Sequence, residues 1–298
     1  MPWWKGDMRM NGIEINDVVK RYKDVKALDH VSFRMEEGKI YGLLGRNGAG
    51  KSTLISLITN RIFPDSGCVL IDGENAAENG RAQDKIFCMS EKDLYPRSMK
   101  VKKAFKLTSG FYEEFDEEQA LHYSEMFGLN VKKSIGSLST GYRSIFKLIV
   151  ALSLNLPYLI FDEPVLGLDA NHRELFYKLL LNDFEKHPKT IIIATHLIEE
   201  VAGLIEEIVI IDKGRILLQA SSEELMEQGY SVSGPAQDVD AYCRGRTVIG
   251  IDELGGLKVA YIMGKADEDS LGRLMVSTIS MQKLFVKLTE NNAMRKDG

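Results

Sequence analysis

The chain has 298 residues, with 38 basic against 43 acidic side chains and a net charge of −5. That balance argues against a basic nucleic-acid-binding surface, so nucleic acid is not an expected partner. The length suits one large or two modest domains. Cys68, Cys88 and Cys243 lie far apart and make no metal-type pair, which points to a reduced, cytosolic compartment.

The most apolar stretch, 145–161, is interrupted by Lys147, Asn155 and Pro157. It falls short of the roughly 20 apolar residues a spanning helix needs, and reads instead as a helix followed by a strand. The first ten residues lack the apolar core of a signal peptide and read as a flexible leader rather than as a segment whose Trp3 and Trp4 touch a membrane surface or a partner, with Met8 or Met10 as alternative starts. Work at a membrane would therefore require another chain to supply the span.

In chain order, 13–19 and 27–35 alternate as strands, separated by a polar, turn-like 20–24. Tyr22 in that turn reads equally well as an aromatic that stacks on a base or as a surface side chain. Strand 39–44 then leads into Gly45-Arg46-Asn47-Gly48-Ala49-Gly50-Lys51-Ser52-Thr53, and a helix follows. The spacing G-x-x-x-x-G-K-[ST] between strand and helix is a phosphate-binding P-loop. Its backbone N–H groups and helix N-terminus favour polyphosphate, Lys51 reaches the terminal phosphates, and the Ser52 hydroxyl suits Mg²⁺.

Strands follow at 68–73 and 85–90, then a helical pattern over 101–129 that looks like an insertion. The acidic run 113–118 reads as a solvated helix start. Ser139, Thr140 and Gly141 precede a helix over 144–154; on spacing alone, ordinary capping is favoured over a second anion site. The apolar strand 156–162 ends in Asp162 and Glu163. Beside a P-loop, Asp162 suits Mg²⁺, and Glu163 suits polarisation of an attacking water. Strand 190–195 ends in His196, at the strand end where α/β ligands bind. A hairpin spans 207–218. Beyond 220 lie a short helix, strands 247–251 and 257–262 about Gly255-Gly256, and an amphipathic helix 280–290, with no catalytic motif.

With these residues in order, residues 11–220 resemble the ATP-binding subunit of an ABC transporter. Gly45–Ser52 matches the P-loop and Leu138–Tyr142 the LSGGQ signature. Leu159–Asp162 matches the Walker B strand and Glu163 the catalytic glutamate. Leu166–Asp169 matches the D-loop, His196 the switch histidine and Tyr22 the base-stacking aromatic. The resemblance implies an α/β P-loop NTPase. Its RecA-like core carries an antiparallel β subdomain and an inserted helical subdomain over about 92–155. A small C-terminal α+β domain over 221–298 would follow.

It also implies ATP and Mg²⁺ as ligands, with Ser52, Asp162 and Glu91 at the metal. Function would need a head-to-tail dimer in which Ser139 and Gly141 of one copy close on the nucleotide of the other, with Asp169 of the D-loop as a further nucleotide-site residue. A separately encoded transmembrane subunit would touch the helical insertion, placing the chain on the cytoplasmic face of the membrane. Two departures stand out: Glu91 takes the place of the Q-loop glutamine, and Thr140 and Tyr142 replace glycine and glutamine in the signature. The alternative reading is a soluble ABC ATPase acting as a regulatory or mechanical clamp. Such relatives usually carry two cassettes, a coiled coil or a basic surface. A generic P-loop kinase would leave the signature and His196 unexplained.

Overall fold

The computed structural model describes residues 11–267 and 271–294; the expected leader, with Trp3 and Trp4, lies outside the described residues. Strands β1 (Gly12–Tyr22) and β2 (Val25–Glu36) pair antiparallel from Gly12 opposite Glu36 to Tyr22 opposite Val25. The polar stretch that reads as a turn is therefore strand as far as Tyr22, because pairing with β2 satisfies a backbone whose composition is poor in strand formers. Only Lys23 and Asp24 turn, with Lys23 at φ 51°.

Next come β3 (Ile40–Leu44), α1 (Lys51–Ile58), β4 (Ser66–Ile71), β5 (Glu74–Asn75), α2 (Gly80–Gln83) and β6 (Ile86–Met89). The first sheet has the order β2-β1-β4-β5. The helical block contains α3 (Val101–Phe111), α4 (Glu117–Met126) and α5 (Thr140–Leu152). The helical stretch over 101–129 divides at Tyr112–Asp116, where the Asp116 carboxylate accepts from Gln119 N at 2.8 Å and caps α4, so a helix starts in the acidic run as expected. Glu117 and Glu118 fill the first turn of α4, the end of the helix dipole that favours negative charge. Phe105 and Phe146 stack inside this block at 5.8 Å between ring centroids.

After α5 come β7 (Tyr158–Asp162), α6 (Ala170–Lys186), β8 (Thr190–Thr195), α7 (Ile198–Val201), β9 (Glu207–Asp212) and β10 (Arg215–Ser221). The central sheet has the order β10-β9-β3-β8-β7-β6, and every pairing except β10 with β9 is parallel. All residues of β3 and β8 are buried, as strands covered on both faces must be. Parallel register gathers the strand ends. Leu44 lies beside Thr195, Asp162 beside Ala194, and Met89 beside Phe161. The loops that leave one edge of the sheet thus carry the P-loop, Ser90-Glu91, Glu163 and His196 together.

The remainder comprises α8 (Ser222–Glu227), β11 (Gly229–Pro235), α9 (Ala236–Tyr242), β12 (Thr247–Leu254), β13 (Leu257–Met263), β14 (Met275–Thr278) and α10 (Met281–Met294). An antiparallel sheet of order β12-β13-β11-β14 results. Tyr230, Val232, Ala260 and Ile262 pack with Val239 and Tyr242 of α9. Helix α10 packs against α7 and β12 and brings Met281, Leu284 and Phe285 into the core that also holds Ile198 and Val201. No helix of the described residues is long and apolar enough to cross a membrane.

Candidate functional site

The site begins with a helix start that has no side-chain cap. Gly50 precedes α1 at φ 118°, and a Cβ there would stand 2.8 Å from Ala27 O. Only glycine fits that conformation, and glycine has no oxygen with which to cap the first N–H groups. Those donors remain turned into a cavity of about 660 Å³, whose lining includes Arg46 to Ser52, Arg61, Glu91, Asp162 and Glu163. Donors at a helix N-terminus facing an open cavity form an anion site.

Lys51 is 6 % exposed, and its Nζ donates to Gly45 O at 2.6 Å. Burial pushes its ammonium below the usual lysine range, with Glu163 and then Asp162 acting against that shift. Asp162, at the end of β7, moves the other way. Burial and then the neighbouring Glu163 raise it above the usual carboxylate range; Glu91 adds to this, while Lys51 and Arg61 oppose it. Two carboxylates crowded at a strand end favour a cation beside them.

Glu163 adopts φ 50°, the left-handed region that a side chain enters only when its surroundings hold it there. Its N–H donates to Ala194 O at 2.9 Å, which locks the turn onto β8. Oε1 lies 2.8 Å from His196 Nδ1 and 3.7 Å from Lys51 Nζ; Oε2 accepts from Thr195 Oγ1 at 2.9 Å. Lys51, Asp162, Glu163 and His196 thus come together from three loops, through the parallel register alone.

The chain belongs to the ABC transporter ATP-binding family. The family description "ABC transporter" matches residues 28–166. The methionine import ATP-binding protein MetN of Staphylococcus haemolyticus is 32 % identical over 229 residues, covering 72 % of this chain and 67 % of the relative. The ABC transporter ATP-binding protein YtrB of Bacillus subtilis is 26 % identical over 258 residues, covering 86 % and 88 %. Among solved structures, the ATP-binding subunit of an ABC transporter aligns with TM-score 0.65 at 23 % identity, over 70 % of this chain and 90 % of that one. A dimeric bacterial ABC transporter cassette aligns with TM-score 0.63 at 24 % identity, over 70 % and 98 %. The fold is therefore that of an ABC cassette, and the chain is an ABC-type ATPase, the ATP-binding subunit of a transporter.

Ser139, Gly141, Asp169 and Tyr22, also expected at the site, fall outside this centre. Ser139, Gly141 and Asp169 do not line the cavity. Ser139 caps α5 by accepting from Tyr142 N at 3.3 Å, so that helix starts at Thr140 rather than at Ser144. Asp169 caps α6 through His172 N at 3.0 Å and also meets His172 Nδ1 at 2.8 Å. The His172 ring lies edge-on to Tyr142, which links the D-loop to the signature. Tyr22 is 46 % exposed at the end of β1, near Val25 and Lys26 of the cavity wall but not part of it.

Several residues in or beside the cavity escaped the sequence reading. Lys26 and Lys213 come from two different hairpins, and no local pattern joins them. Arg61 follows α1 and approaches Ser90 Oγ at 3.4 Å. Thr195 had a signal available: it ends the same buried parallel strand whose next residue is His196. Lys147 of α5 donates to the carbonyls of Ser90 and Glu91 and pairs with Asp93 at 3.2 Å, which ties the signature helix to the loop carrying Glu91.

Proposed function

We propose that this subunit hydrolyses Mg-ATP within a head-to-tail dimer and thereby drives a separately encoded transmembrane subunit. The observation that carries this reading is the convergence of Lys51, Asp162, Glu163 and His196 at one edge of the central sheet. The P-loop N–H groups and Lys51 hold the phosphates. Ser52 and Asp162, both lining the cavity, hold the metal, and Glu91, which lines the same cavity and raises Asp162, joins them. The crowded negative charge at Asp162 fits a divalent cation, which when bound would neutralise charge on the phosphates.

Glu163 takes a proton from the attacking water, and His196 holds the Glu163 carboxylate and faces the γ-phosphate. Against an ionised carboxylate, Nδ1 of His196 is the donor, which leaves Nε2 for the nucleotide. Ser139, Gly141 and Asp169 lie exposed or half-buried, outside the cavity that holds the P-loop, as residues serving a second copy's nucleotide would. Exposed Leu94, Leu107 and Phe111 border a surface cleft between the helical block and the central sheet, a suitable seat for the transmembrane subunit. The relatives' names include both methionine import and multidrug transport.

Glu163→Gln should retain ATP binding, lose about 10²-fold or more of turnover, and accumulate a dimer with ATP in sedimentation. Hydrolysis at the wild-type rate would remove Glu163 from its role. Co-purification from detergent-solubilised membranes should recover a multi-span protein; its repeated absence would favour a clamp that works without a membrane partner.

A further inference from the structure

We infer that Thr195 is a positioning residue for ATP hydrolysis, acting through Glu163. This rests on the reading of Glu163 as the general base. Thr195 is fully buried at the end of β8. Its Oγ1 makes two hydrogen bonds of opposite sense: the N–H of Leu197 donates to it at 3.0 Å, and it lies 2.9 Å from Glu163 Oε2. An N–H can only donate, so the hydroxyl must accept from Leu197 and its single proton points at the carboxylate. The polarity of the contact is therefore set by the backbone.

The consequence is a carboxylate with no free rotation. Glu163 N is fixed to Ala194 O, its φ of 50° sets the direction of the side chain, His196 holds Oε1 and Thr195 holds Oε2. His196 is the half-exposed partner. Thr195 is the buried partner. A base must face its water within a narrow range of geometry, and small misplacements cost large factors in rate. Thr195 also joins Glu163 to the first residue before α7, the helix on which α10 packs.

The test compares Thr195→Val, which keeps the shape and loses the hydroxyl, with Thr195→Ser, which keeps the hydroxyl. Thr195→Val should lower kcat about 10- to 100-fold while KM and calorimetric affinity for Mg-ATP stay within about twofold. Thr195→Ser should return kcat to within about threefold of wild type, and Thr195→Val should cost no more than about twofold in a Glu163→Gln background. Thr195→Ala gives a second hydroxyl-free variant if the valine disturbs folding. Wild-type kcat in both hydroxyl-free variants, failure of serine to rescue, or an undiminished loss in the Glu163→Gln background would each overturn the inference. Full turnover by Glu163→Gln itself would instead overturn the base assignment on which it rests.

Discussion

The starts of α1 and α5 are both helix N-termini with small residues, yet they are built in opposite ways. Gly50 leaves the first donors of α1 without a side-chain cap and turned into a cavity; Ser139 caps α5 at an exposed position. Around α1 the protein accepts unfavourable local states: a buried Lys51, a raised Asp162, and Glu163 at positive φ. Around α5 and the D-loop every polar group named has an ordinary local partner. The difference teaches that one half of the site is assembled in advance for phosphate. In the proposed dimer the other half, capped at Ser139, would exchange that cap for a ligand.

Lys51→Ala attacks the assembled half most directly. It should weaken ATP affinity about 10²-fold by calorimetry, the cost of losing a charged hydrogen bond to phosphate. Unchanged affinity would show that the N–H groups suffice. Ser139→Ala should reduce ATPase activity about tenfold, leave ATP affinity of the isolated subunit unchanged, and cost about 1 kcal/mol of stability as a lost cap. A drop in affinity as large as that of Lys51→Ala would erase the contrast between the halves.

Asp162→Asn has the smallest expected effect and runs the other way. The folded-state pKa of Asp162 is raised, so its ionisation opposes folding: no penalty exists below the unfolded carboxylate range, and the full penalty exists above the raised value. Without nucleotide or metal, the asparagine variant should therefore melt about 2–4 °C higher at pH 7, with the gain fading as pH falls toward about 4. Lower stability at pH 7 would mean that the attraction to Lys51 outweighs burial and the repulsion from Glu163 and Glu91.

Much of the candidate site was legible because each element ends abruptly. The apolar runs of β3, β7 and β8 stop at Gly45, Asp162 and Thr195-His196, and a run that stops in polar residues marks a strand end. Less legible were places where pairing outweighs composition. Lys20 to Tyr22 are strand because Leu28, Lys26 and Val25 stand opposite them. Tyr230 to Pro235 form the central β11 only because β13 and β14 flank it, and β14 itself is a short, wholly exposed edge that no alternation announces.

By itself, then, the order of residues determined which chemistry is present: a phosphate loop, a strand-end carboxylate pair, a histidine and a signature, all encoded locally in short spacings. Their arrangement was decided by the tertiary structure. Parallel strand register brought residues 51 and 196 each within a few ångströms of Glu163. The same register placed Thr195 beneath Glu163 and left Ser139 and Asp169 outside the cavity. Sequence spacing cannot encode those relations, because they depend on which strand lies beside which, and that is set by burial of the whole sheet.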